Sequence, residues 1–122
     1  MADEGLVGEA EAKVAETRRG LAEAGDQGPA GLARTLLELS RAYDEADRTG
    51  DAVAAAHEAV AVLSPAFLAK PTAMASAMQA VTAQYVSLAQ RRRQEPDAAL
   101  LAPIAQAMGG LARAEDDADD AW

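Results

Sequence analysis

The sequence predicts an all-α protein, and three observations lead to this fold class. Half of the 122 residues are hydrophobic, and more than half of these are alanine, the residue with the highest helix propensity. Bulkier apolar residues recur at spacings of three and four, the period of a helix with one buried face. One helical pattern also occurs twice, with each member displaced by 42 positions: Leu36, Leu39 and Tyr43 return as Met78, Val81 and Tyr85. We therefore expect antiparallel helices around a core of mostly small side chains.

The first two of five predicted helices lie before residue 50. The first spans about residues 3–24, and the glycine-rich run at 25–29 ends it. The second begins after Pro29, because the fixed φ of proline suits a first helical turn, and it stops near Gly50. The apolar stripes of these two helices are, in order, Val7, Val14 and Leu21, and Leu32, Leu36, Leu39 and Tyr43.

The third helix is predicted between an acidic cap and a proline. Asp51 is expected to cap its N-terminus, and Pro65 to break it, since proline lacks the backbone N–H that a helix interior needs. Phe67 and Leu68 are expected to fill the gap before the next helix pair. The inward stripe consists of Val53, Ala56, Val60 and Leu63.

The fourth and fifth helices form the second pair. The fourth starts at Pro71 and ends at the segment 94–96, and Asp97 is predicted to cap the fifth. Pro103 predicts a kink or local restart within the fifth helix, which residues 109–110, both glycine, should end. Their stripes are Met74, Met78, Val81, Tyr85 and Leu88, and Leu100, Leu101, Ile104 and Met108.

This organisation indicates one helical-repeat domain over residues 1–110. Residues 111–122 then form an acidic C-terminal tail, expected to be a frayed helix or a solvated segment. Fewer than three repeats leave an apolar face open at one or both ends, so a homodimer or a larger partner would naturally cover it.

The duplicated segments resemble the tetratricopeptide repeat, particularly its long-period bacterial and kinesin-light-chain-like form. The resemblance covers about residues 30–108. Pro65 lies one residue from the closing proline of the family, but Ser40 and Thr82 stand where the family has glycine, and the second copy has about four extra residues near Pro96. The positions that match the motif are Leu36, Leu39, Ser40, Tyr43, Ala52, Ala56 and Ala59.

The resemblance implies a five-helix, antiparallel, right-handed array whose first helix is the second half of a missing repeat. A compact helical bundle is the alternative fold. The family binds ligands on the concave face formed by the first helix of each pair, which implies a non-catalytic module that binds a peptide or a partner helix. The positions on that face are Arg34, Leu37, Arg41, Asp44, Glu45, Ser76, Gln79, Ala83 and Val86.

Two arginines on this face predict the chemistry of the ligand. Arg34 and Arg41 lie two helical turns apart and could hold a carboxylate terminus or acidic side chains through forked hydrogen bonds. The alternative is that the face packs on another helix of the same protein, either the first helix or the tail.

Charge and composition argue against several other partners and cellular locations. A formal net charge of −9 argues against nucleic acid, and the only basic run, at residues 91–93, suits the negative end of a helix dipole. There is no cysteine, no apolar signal region, and no apolar run expected to reach the ~18 residues of a membrane span. A cytoplasmic protein without a membrane partner is the expectation.

No motif predicts an enzyme, a metal site or a cofactor. The acidic string at residues 44–47 matches a helicase motif, but no phosphate-binding loop accompanies it. His57 is the only histidine and is expected to be structural; an enzyme using Asp44, Glu45 or Asp47 would need one of them beside His57 or Tyr43. The remaining alternative is a self-associating structural or small regulatory bundle.

Overall fold

The computed structural model describes the backbone of residues 4–24 and 28–120, and the side chains of residues 5–21, 23 and 28–111. Every regular element in these ranges is a helix, which confirms the all-α prediction. The five predicted helices are all present, with a short extra segment after a break at Gly20; residues 25–27, predicted to end the first helix, lie outside the described part. The elements are α1 (Glu4–Arg19), α2 (Leu21–Ala24), α3 (Gly28–Glu45), α4 (Thr49–Ala69), α5 (Pro71–Arg91) and α6 (Ala98–Asp120).

Helix α4 is the centre of the fold. It packs along α3 and α5 and also contacts α6, whereas α1 packs mainly on α3. The predicted stripes supply the core, because their residues recur on one side of each helix. The exceptions are stripe residues that are only partly buried, namely Leu21, Tyr43, Val53, Met74 and three residues of α6. The largest completely enclosed side chains are Phe67, Leu32, Leu36, Leu63, Met78 and Leu88.

Helices α3 and α5, which carry the two copies of the pattern, lie side by side and run in the same direction. The amide nitrogen Nε2 of Gln84 donates to Oγ of Ser40 over 3.3 Å, and Arg91 forms an ion pair of 2.8 Å with Asp44. Both contacts join the C-terminal halves of the two helices. The two helices are therefore joined at their C-terminal end, the closed end, and a groove separates their N-terminal halves.

Two predictions about α4 are wrong. Pro65 does not break the helix, which continues to Ala69 with Pro65 exposed on its surface. Burial of Phe67 beyond the proline stabilises the last turn, although Leu68, its predicted companion, is exposed. Asp51 lies in the first turn instead of at the N-cap, and its carboxylate pairs with Arg48 at 2.8 Å.

The cap of α6 is confirmed, but its predicted end is wrong. The backbone N–H of Leu100 donates to Oδ1 of Asp97 over 3.2 Å, as an N-cap requires. The helix runs through Pro103 and through Gly109 and Gly110 to Asp120. The predicted tail therefore has a helical backbone to that residue, while its side chains from 112 onward lie outside the described part.

The expectation that no segment reaches the length of a membrane span is also wrong. Helix α4 has 21 residues and an 18-residue window of mean hydropathy 1.6. By length and composition alone it could cross a membrane. Its position is that of a core helix, since α3, α5 and α6 all contact it and Ala56, Val60 and Leu63 are fully buried.

Candidate functional site

A groove of about 630 Å³ opens between the diverging N-terminal halves of α3 and α5. Small side chains form most of its wall, so the backbones of both helices are accessible to a ligand. Arg34 is the only charged residue among the described groove-lining residues. The lining residues are Ala30, Gly31, Ala33, Arg34, Leu37, Ser76, Ala77, Ala80 and Val81.

Three of the nine predicted partner-binding residues line this α3/α5 groove. Arg34 and Ser76 are exposed on opposite walls, and Leu37 forms part of the floor with only 8% of its surface exposed. Leu37 is thus part of the hydrophobic core and not an exposed residue of the implied face. It is buried by the monomer but still borders the open space.

The other six predicted residues do not line the α3/α5 groove. Arg41 and Glu45 line a shallower groove of about 260 Å³ between α1 and α3, with Lys13 and Glu38 beside them. Helix α1 therefore covers this side of α3, as the alternative of packing against the first helix predicted. Arg34 and Arg41 therefore line different grooves, although they lie two turns apart on one face of α3.

Asp44 and Val86 have contacts within the protein. Asp44 pairs with Arg91 at the closed end of the α3/α5 groove. Val86 is partly buried and packs against the core. Neither residue lines one of the described grooves.

The last two predicted residues, Gln79 and Ala83, line a different groove of about 510 Å³ between α5 and α6. Its surface is almost entirely apolar, with Leu101, Ile104 and Met108 on the α6 side. It exists because α5 and α6 touch at few positions, whereas the first pair, α3 and α4, packs along most of its length. The repeat pattern contains no signal for this difference.

The second helix pair, α5 and α6, lacks a counterpart of the hydrogen bond that joins α3 to α4 in the first pair, as far as the described residues show. In the first pair, Oγ of Ser40 donates to the carbonyl oxygen of Ala52 over 2.8 Å and accepts from Gln84. Thr82, the equivalent of Ser40, has a buried Oγ1 with no hydrogen-bond partner among the described residues. A buried hydroxyl without a partner is costly and uncommon.

A cluster of three side chains fixes the start of α6. The hydroxyl oxygen of Tyr85 accepts from the backbone N–H of Asp97 over 2.7 Å, and Nε2 of His57 lies 3.2 Å from Oδ2 of Asp97. The rings of His57 and Tyr85 meet edge to face at 5.4 Å. The hydrogen bond with His57, followed by that from the N–H of Leu100, lowers the pKa of Asp97.

This cluster anchors the start of α6. The tyrosine oxygen accepts from the backbone, and Asp97 is occupied by the helix cap and by His57. Sequence reasoning found the cap of Asp97 but missed its contact with His57, because the two residues are 40 positions apart and no local pattern links them.

The acid that contacts His57 is Asp97, which was not among the residues considered for catalysis. Asp44 bonds to Arg91, and the hydroxyl of Tyr43 donates to Oε2 of Glu11 over 2.7 Å. Burial, and then this hydrogen bond to Glu11, raise the pKa of Tyr43 to about 12. Among the described residues, no group of three or more His, Asp or Glu side chains is placed to hold a metal ion.

Comparison of the chain with protein-family models, with curated protein sequences and with solved structures gives no significant match. The grooves and their lining residues are therefore the features that indicate a function.

Proposed function

We propose that this protein is a non-catalytic interaction module that binds an acidic peptide or partner helix in the α3/α5 groove. The observation that carries the proposal is the lining of this groove: one arginine, Arg34, among small and apolar side chains. Small residues let a ligand backbone approach closely. A guanidinium group supplies forked hydrogen bonds to a carboxylate, whether at a chain terminus or on Asp or Glu.

The electrostatic setting makes Arg34 the residue on which binding of an acidic ligand depends. The chain carries a formal net charge of −9, so an acidic ligand is repelled by most of the protein surface. Arg34 provides a local positive charge in the groove, and the arginine at the closed end, Arg91, is already paired with Asp44. Binding of an acidic segment should therefore depend strongly on Arg34.

The tetratricopeptide-like repeat remains part of this proposal. It is supported by the parallel, adjacent placement of α3 and α5 and by the antiparallel packing of α4 between them. In that arrangement the groove lies between the first helices of successive pairs, the surface that the resemblance implies for ligands. A cytoplasmic location is proposed with it, since a cysteine-free chain does not need an oxidising compartment.

A charge-matched pair of variants tests the proposal. Proteins from the native host are captured on the wild-type chain, on Arg34→Glu and on Arg41→Glu, and the affinity of each captured partner is then measured by calorimetry with purified components. Both substitutions reverse one exposed arginine on α3, but only Arg34 lines the α3/α5 groove.

The expected result is a partner that binds wild type and Arg41→Glu alike and binds Arg34→Glu at least roughly tenfold more weakly, the size of one lost charged hydrogen bond. Substituting Ala80→Trp, which fills the groove without changing charge, should also abolish binding. Equal affinity of all variants for the partner would show that it binds elsewhere.

A further inference from the structure

The first helix pair, α3 and α4, is joined by a hydroxyl group on α3. Oγ of Ser40 donates to the carbonyl oxygen of Ala52 over 2.8 Å, and both residues are completely buried. Tyr43, three positions further along α3, donates its hydroxyl to Glu11 of α1 instead. In this pair the serine therefore bonds to α4, and the tyrosine bonds to a different helix.

The second pair, α5 and α6, is joined by the tyrosine instead. The hydroxyl oxygen of Tyr85 accepts from the backbone N–H of Asp97 over 2.7 Å, and Nε2 of His57 lies 3.2 Å from Oδ2 of the same aspartate. Thr82, the equivalent of Ser40, has a buried Oγ1 without a partner among the described residues. We call Tyr85, His57 and Asp97 the α6 clasp, because they hold the start of this helix.

The repeat identifies the acceptor that Thr82 lacks. Three alanines of α4 recur in α6, each displaced by 46 positions: Ala52, Ala56 and Ala59 return as Ala98, Ala102 and Ala105. The counterpart of the Ala52 carbonyl group is therefore that of Ala98. Because Ala98 directly follows Asp97, the clasp determines how far this carbonyl oxygen lies from Thr82.

Beyond the clasp, α6 is lightly packed. Ile104 is the only completely buried side chain in the part of α6 whose side chains are described. The groove of about 510 Å³ lies between Leu101 and Met108 of α6 and Gln79 and Ala83 of α5. An element with few buried contacts moves at a low cost in free energy, so little packing opposes a movement of α6 toward α5.

We propose that α6 is a hinged helix with an open and a closed position, and that the clasp holds it in the open one. In the closed position, Oγ1 of Thr82 donates to the carbonyl oxygen of Ala98, and Leu101 and Met108 pack against α5. The open position keeps the clasp contacts and leaves the threonine hydroxyl unpaired, whereas the closed position pairs it and buries more apolar surface. This device is separate from the α3/α5 groove and goes beyond the proposed function.

A double-mutant cycle tests the coupling between the clasp and Thr82. Tyr85→Phe removes the hydroxyl that holds the N–H of Asp97 but keeps the ring. Thr82→Val should leave the urea midpoint of the otherwise wild-type chain unchanged or slightly raised. In the Tyr85→Phe background it should lower the midpoint, because the threonine is then bonded to α6. Tyr43→Phe removes the equivalent hydroxyl of the first pair and is the matched control, in which Thr82→Val should keep its wild-type effect.

Disulfide formation across the groove measures closure directly. The chain contains no cysteine, so Gln79→Cys with Ala105→Cys introduces a single possible bridge between α5 and α6. A bridge requires the two Cα atoms to come within about 7 Å. It should form several-fold faster in the Tyr85→Phe background than in the Tyr43→Phe background. His57→Ala releases the clasp from an exposed position, tests the same point without altering a buried residue, and should also accelerate the bridge.

Two results would overturn the proposal. One is a Thr82→Val effect that is the same in the Tyr85→Phe, His57→Ala and Tyr43→Phe backgrounds, which would mean that release of the clasp gives the threonine no partner. The other is a bridge that forms at the same rate in all three backgrounds, which would mean that α6 does not move when the clasp is released.

Discussion

The Ser40 hydroxyl bridges two helices by donating to the carbonyl oxygen of Ala52, 2.8 Å away at the start of α4. The corresponding hydroxyl in the second copy, on Thr82, is buried and has no hydrogen-bond partner within the described part of the chain. We therefore expect two residues at equivalent positions of one pattern to have opposite effects on the free energy of unfolding. This difference provides an internal comparison of the closed and the open helix pair.

Substitution of these two residues should separate their roles. Ser40→Ala removes a buried interhelical hydrogen bond and should lower the free energy of unfolding by about 1–3 kcal/mol. Thr82→Val keeps the side-chain shape, removes an unpaired hydroxyl and should be neutral or slightly stabilising. Urea unfolding at one protein concentration measures both, and equal losses would mean that Thr82 has a partner in solution.

The cap of α6 should make the protein sensitive to acid. Hydrogen bonding to His57 holds the pKa of Asp97 below its ordinary value of about 3.9, so the folded protein binds this proton less tightly than the unfolded chain. The stabilisation is present above the ordinary pKa and is lost as the pH falls through the lowered pKa.

Asp97→Asn is a suitable variant for this test, because asparagine also caps helices but does not ionise. Urea unfolding between pH 7 and pH 2.5 should show a steeper acid loss of stability for wild type than for the variant. Parallel profiles would show that the ionised form of Asp97 does not stabilise the fold.

The contact between α1 and α3 should be visible in the ionisation of Tyr43. Burial and the hydrogen bond to Glu11 raise its pKa to about 12, which means that folding favours the neutral phenol. This contribution is complete below the ordinary tyrosine pKa of about 10 and disappears as the pH rises through about 12.

Carbon-13 NMR of the Tyr43 ring measures this pKa for a single residue. In Glu11→Gln the midpoint should move down toward 10, because the acceptor loses its charge. Glu9→Gln alters a neighbouring exposed acid on α1 and serves as the control. A midpoint that is the same in all three proteins would contradict the observed contact.

The proline inside α4 predicts a stabilising substitution. Pro65 lacks the N–H that would bond to the preceding turn, so Pro65→Ala should raise the free energy of unfolding by about 1–3 kcal/mol. Pro71 sits in the first turn of α5, where proline is favourable, and Pro71→Ala should be neutral or cost up to about 1 kcal/mol. Thermal unfolding compares the two, and a loss of stability in Pro65→Ala would mean that the proline is needed where it is.

Local periodicity in the sequence was enough to predict the helices and most of the core. Leu36, Leu63 and Met78 are enclosed as expected, because the 3.6-residue period places stripe residues on one side of a helix whatever its neighbours are. The cap at Asp97 was also predictable, since it depends on a side chain and a backbone N–H only three residues apart.

Packing between helices that are distant in the sequence determined the features that local periodicity did not predict. Helix α4 passes Pro65 because the buried ring of Phe67 holds its last turn in place, an effect that local propensity does not include. Arg34 and Arg41 line different grooves because α5 packs beside the first and α1 beside the second. The contact of His57 with Asp97 and the opening between α5 and α6 likewise arise from how whole helices are placed. The one-dimensional pattern specifies which side of a helix is apolar, whereas the distance between helices is set by the fit of all their side chains together.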